Sequence, residues 1–211
     1  MRANPAHSAQ LLAALLLAAT LSACGATNSA VTTPTTAPVD PTRPPENLRW
    51  EPYQGVSLPI GAQDGPKQLA TIASGYSHTP QGAALAAINS STRMSLAPDD
   101  TWPTAASQSL MPGPGKDAWV MARAQISITA PAAAATAPHI TAYKVVNYTP
   151  ATTDLVVYAT YSDNSITASA QTVTWSADDW RLVLPNPASK LQTIHSIPAI
   201  PPDAVNLNPP K

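Results

Sequence analysis

The chain carries a single cysteine, Cys24, and a thiolate is among the strongest nucleophiles a side chain offers. It follows Leu21-Ser22-Ala23, where the small side chains of Ser22 and Ala23 let an extended backbone enter a peptidase site. That order suits cleavage before Cys24 and alkylation of its sulfur by a diacylglyceryl donor. Other reactive groups are scattered. His78 can serve as a base or a ligand, since histidine titrates near neutral pH; one residue before a helix cap, it can equally fix the loop by a hydrogen bond. Ser77-His78 has the residue types of a nucleophile and its base, yet sequence neighbours seldom face each other correctly. Asp99-Asp100 and Asp178-Asp179 are carboxylate pairs in turns, where Asp binds backbone amides. Paired acid catalysis needs carboxylates converging across a cleft. The histidines lack metal-ligand spacing and no thiolate stays free, so neither a metal nor another cofactor is expected. In Pro112-Gly113-Pro114-Gly115 the prolines remove amide protons that a phosphate-binding loop uses.

Upstream, Arg2 and the amino terminus make a basic start, and Leu11 to Leu21 is a short apolar run. A basic start, an apolar stretch and small residues are the parts of a signal peptide. The run is about half the ~20 residues a helix needs to cross a bilayer, so a permanent span is not expected. Leu21-Ser22-Ala23-Cys24 resembles the bacterial lipobox at every position. Residues 1–23 then read as a lipoprotein signal peptide, with Cys24 the lipidated first residue of the mature chain. An ordinary secretory signal, cut after Ala19-Thr20-Leu21-Ser22-Ala23, is the alternative. One acyl chain binds a membrane only marginally, whereas two anchor it stably. Lipid on Cys24 would moor the protein at the outer face of the cell membrane.

Composition excludes some partners. The net charge is −1, and −2 once Arg2 leaves with the signal. Nucleic-acid binding needs a clustered positive footprint, and the sequence has no Lys- or Arg-rich run. With Cys24 lipidated no disulfide can form, so the core must come from aliphatic residues, Tyr and Trp. Phenylalanine is absent, which leaves the five tryptophans most of the bulky aromatic packing. Trp102, Trp119, Trp175 and Trp180 can fill that core or line a ligand cavity between helices and sheet. With His78, the first three are candidate pocket or interaction residues.

Residues 24–48, rich in Thr, Pro and Ala, read as a disordered tether. At about 3 Å per residue it reaches roughly 70 Å. Residues 49–195 read as one α+β domain. Trp50 to Pro59 is an extended strap, and Asp64-Gly65-Pro66 a turn. Thr79 is a good N-cap and Pro80 suits the first helical position, so a helix is expected to about Met94. Ala84, Leu85, Ala87, Ile88 and Ser91 would form its apolar face. Shorter helices are expected over residues 104–111 and from Asp117 to about Gln125. Residues 140–148, 154–161, 166–175 and 180–184 have strand composition, and short loops force antiparallel neighbours. The expectation is a four-stranded meander with helices on one face. Residues 196–211 read as a proline-rich flexible tail.

The Gly65-Pro66 turn, Gly75-Tyr76-Ser77-His78-Thr79-Pro80-Gln81-Gly82-Ala83 and the closing Asp179 to Pro185 strand together resemble a family of actinobacterial exported or membrane-attached proteins. These are met in integrative conjugative elements, and the family carries no assigned activity. Helices followed by a curved meander are similar to the NTF2-like or cystatin-like shape, which occurs in extracytoplasmic domains of conjugation-channel proteins. The lipobox, the tether and the resemblance together imply a lipid-anchored, non-enzymatic domain that binds other extracytoplasmic proteins, as an accessory of a conjugative transfer apparatus. An NTF2-like pocket for a small apolar molecule and a cell-wall-associated structural lipoprotein are the alternatives.

Overall fold

The computed structural model describes residues 39–133 and 135–209. The lipobox residues Leu21, Ser22, Ala23 and Cys24, the signal peptide and most of the expected tether lie outside them. Two short hairpins come first: β1 (Arg49–Tyr53) with β2 (Val56–Ile60), and β3 (Gln68–Leu69) with β4 (Ala73–Ser74). Three helices follow, α1 (Pro80–Leu96), α2 (Trp102–Ser109) and α3 (Pro114–Arg123). The main sheet uses β5 (His139–Tyr148), β6 (Thr152–Thr160), β7 (Ile166–Ser176), β8 (Asp179–Val183), β9 (Ile194–Ile197) and β10 (Val205–Asn206). The architecture is thus mixed α+β, with three helices and a large antiparallel sheet.

The four expected strands are present as β5 to β8, but the sheet has six. Of the other two, β10 and the second half of β9 fall in the proline-rich stretch read as a loose tail. β7 is long enough to hold β8 along Thr172–Ser176 and β9 along Ile166–Ser169 on the same edge. β10 returns to pair with β5, and Val205 and Leu207 are buried there. Prolines punctuate the segment without preventing pairing at a sheet edge, where one face of the backbone needs no partner.

α1 starts where the cap chemistry places it. The Thr79 hydroxyl accepts from the Gly82 amide at 3.0 Å, and Pro80 fills the first turn. Its burial exceeds one face: Ala83, Ala84, Leu85, Ala86, Ala87 and Ile88 are all sealed from solvent. A helix apolar on every side is buried on every side. Alanine lets the sheet close on one flank and the β1–β2 hairpin on the other, where Asn89 Nδ2 donates to the Pro59 carbonyl at 3.0 Å. The Gln81 amide donates to the carbonyls of Asp40 and Arg43 at 2.8 and 2.9 Å. Asp40 and Arg43, within the stretch read as tether, are thus held against α1, and Leu48 packs on the core. α2 and α3 each begin two or three residues before their expected starts, since Pro103 and Pro114 fit a first turn.

On the inner face of the sheet Leu155, Val157, Val173 and Leu182 join α1 in one cluster. Tyr143 is wholly buried in it, and burial raises its phenol well above the ordinary range, with Asp64 adding to the shift. Among the described residues no helix is long and apolar enough to cross a membrane.

Candidate functional site

The Gly75–Ala83 segment is built into a clamp. Gly75 takes φ +79°, a region that favours glycine, as the chain turns toward α1. The Asp179 carboxylate, at the start of β8, accepts from the Gly75 and Tyr76 amides at 2.7 and 3.1 Å. Asp64 is nearly sealed and its Oδ1 accepts from the hydroxyls of Ser77 and Thr79. The Trp180 indole donates to the Ser77 carbonyl at 2.9 Å. A Cβ on Gly82 would come within 2.1 Å of that same carbonyl, which accounts for glycine in the first turn of the helix. Asp99 and Asp179 do bind backbone amides, but those of Ile128, Gly75 and Tyr76 lie far away in sequence, and spacing alone does not reveal such a pairing.

His78 lies on the outside of this clamp. Its ring stacks on Trp175, with centroids 3.9 Å apart and planes 10° apart, and meets Trp180 edge-on at 5.5 Å. Nε2 donates to the Pro150 carbonyl, and the Tyr148 hydroxyl donates to the His78 carbonyl at 3.2 Å. The loop-fixing reading of His78 therefore describes its geometry. Trp175 and Trp180 face each other across the two-residue turn Ala177-Asp178, where both φ angles are positive, as the tight hairpin requires. Trp102 and Trp119 form a separate edge-to-face pair at 6.1 Å, with the Arg123 guanidinium over Trp102 at 5.4 Å. The four candidates thus fall into two clusters, and none of them lines either of the two cavities that follow.

Those cavities lie on opposite faces of the sheet. On the face turned from α1 is a groove of about 380 Å³ lined by Val146, Val156, Ala170, Val183, Pro185 and Leu191 among others. Val146 and Leu191 are 64 and 66 % exposed. Its single carboxylate, Asp154, accepts from the Thr172 hydroxyl at 2.7 Å. The sequence does carry a signal for this face: Leu155-Val156-Val157 is apolar without alternation, the mark of a strand covered on both sides. On the inner face, a smaller pocket of about 210 Å³ opens between the last turns of α1 and β5 to β7. Ser91, Ser95, Ser169 and Gln171 face it beside Ile140, Val157 and Ile194. Gln171 Nε2 donates to Ser91 Oγ, and its Oε1 has no partner among the described residues.

Away from both cavities, Arg123 is almost wholly buried and ties the end of α3 to the loop after α1. Its guanidinium donates to the carbonyls of Ala97 and Ile126 and pairs with Asp99 at 2.9 Å. The Ile128 amide, the Ser127 hydroxyl and Arg123 together hold the Asp99 carboxyl down to about 2. Among the described residues, no three His, Cys, Asp or Glu side chains gather as metal ligands.

No curated protein and no solved structure matches the chain. A family model described as "Domain of unknown function (DUF8175)" matches residues 17–200, a span that takes in the clamp, all three helices and the sheet through β9. The chain belongs to that family.

Proposed function

We propose that this protein is a lipid-anchored extracytoplasmic domain that binds another protein through the outer face of its sheet. The observation that carries the reading is the apolar groove, with Val146 and Leu191 projecting from its rim. Contiguous exposed apolar surface on a folded domain marks contact sites. With Asp154 engaged by Thr172, the groove favours an uncharged, apolar partner surface. The lipobox supports mooring at the outer face of the cell membrane through Cys24. The resemblance of the Gly65-Pro66 turn, residues 75–83 and the Asp179 to Pro185 strand to proteins of actinobacterial conjugative elements supports a transfer apparatus as the source of the partner.

In donor cells, a photo-crosslinker at Thr193 is expected to capture one defined envelope protein. Val146→Asp with Leu191→Asp should reduce that yield about tenfold without moving the thermal midpoint, because both sites are exposed. An unchanged yield overturns the docking face. Transfer frequency that survives deletion of the gene removes the conjugative role. Cys24→Ala should release the protein into the medium; native protein recovered there with an unmodified Cys24 thiol overturns the anchor.

A second reading, the small-molecule pocket of an NTF2-like domain, is supported by the inner pocket. Its hydroxyls and the unsatisfied Gln171 carbonyl offer polar contacts within an apolar wall.

A further inference from the structure

A third cleft, of about 270 Å³, shares no lining residue with either cavity above. It lies between β4, α1, the end of α2 and the outer edge of β8. Its wall is polar: Ser74, Ser90, Gln108, Ser109, Asp179 and Arg181. Ser90 and Ser109 are only 4 and 8 % exposed. Neighbouring Ser91 and Ser107 donate to carbonyls three residues back, whereas the Ser90 and Ser109 hydroxyls find no partner among the described residues. Both residues are buried, but their hydroxyl oxygens are not sealed, so they open onto the cleft and can donate to a bound group. The Arg181 guanidinium also forms no ion pair or hydrogen bond among the described residues. Asp179 is the opposing charge, but its oxygens already accept from the Gly75, Tyr76 and Trp180 amides.

The backbone adds an acceptor. β8 pairs with β7 on one side, and on the other it has a single bridge, where Leu182 presents its carbonyl to the Met111 amide at 2.8 Å. Alternation along an antiparallel strand turns the Trp180 carbonyl the same way, toward the cleft. Arg181, two serine hydroxyls, a side-chain amide and an outward carbonyl therefore line one small cleft. Arginine recognises a planar carboxylate in two-point fashion, and an outward strand carbonyl accepts from a peptide N–H.

We propose that this cleft binds a carboxylate flanked by an acylated N–H, the group found at a peptide C-terminus and in a free N-acyl amino acid. Arg181 holds the carboxylate, Ser90 and Ser109 donate to it, and the Trp180 carbonyl receives the N–H. The volume, below the ~300 Å³ typical of sites for larger ligands, limits the bound group to a residue or two.

The test is titration calorimetry of the full-length protein in detergent, with N-acetyl-alanine, N-acetyl-alanyl-alanine, and the C-terminal amide of the latter. At least one acid should bind at up to about 10 mM, and the amide at least about tenfold more weakly. Tighter binding of the longer acid identifies a peptide end as the source; tighter binding of the shorter identifies a free acylamino acid. Arg181→Gln should weaken binding about tenfold or more, and Ser90→Ala a few-fold, at unchanged thermal midpoint. No binding by either acid, equal binding of acid and amide, or full affinity in Arg181→Gln overturns the assignment.

Discussion

His78 shows how a group with catalytic potential can be used for cohesion. Its ring spends one face on Trp175 and its Nε2 on the Pro150 carbonyl. His78→Ala removes both and is expected to destabilise the fold by about 1–2 kcal/mol in urea unfolding. A midpoint equal to the parent's would show that the stack contributes nothing. Much of this neighbourhood is legible in the residues themselves. Thr79 and Pro80 announce a helix start because capping is local chemistry. Asp64 and Asp179 are not legible in the same way: their partners are chosen by tertiary approach, and a carboxylate in a turn looks alike whether it binds the next residue or one a hundred positions away. Ser90 is similarly hidden, as a helix pattern does not tell which serine will be left unpaired under a sheet edge.

The three helices and strands β5 to β8 were readable in kind, with ends displaced by a few residues, whereas the two short hairpins and strands β9 and β10 were not. Pro103 and Pro114 lie in the first turns of α2 and α3, although Pro114, following Gly113, suggests a break as readily as a beginning. What no periodicity conveys is how α3 is secured. Arg123 reaches back to Ala97 and Asp99, so the link between α1 and α3 depends on one ion pair and its carbonyl contacts. Asp99 has an ordinary value of 3.8 lowered to about 2 in the folded protein. A depressed carboxyl stabilises the native state above its unfolded pKa, and that contribution disappears as pH falls through the folded value. Stability should therefore decline between about pH 4 and 2, and Asp99→Asn should flatten that part of the profile. Unfolding midpoints measured across this window provide the check; identical slopes in both proteins would separate Asp99 from acid sensitivity.

For the molecule as a whole, both ends of the described chain are stitched in. Ending the chain after Thr193 would remove β9 and β10 and uncover the places of Val205 and Leu207. Burying two such side chains contributes about 3–6 kcal/mol, so the truncated protein should unfold at far lower urea, and retention of the parent midpoint would contradict the structure. Composition hid this, because a run of prolines looks like a linker until a strand edge is offered to it. At the opposite end the Gln81 amide grips the carbonyls of Asp40 and Arg43. If the proposed anchor at Cys24 holds the protein by its amino-terminal side, a pull on the chain meets that two-pronged grip before it reaches β1. That grip would pass part of the load into the first turn of α1, the most deeply buried helix of the fold, ahead of the β1–β2 hairpin.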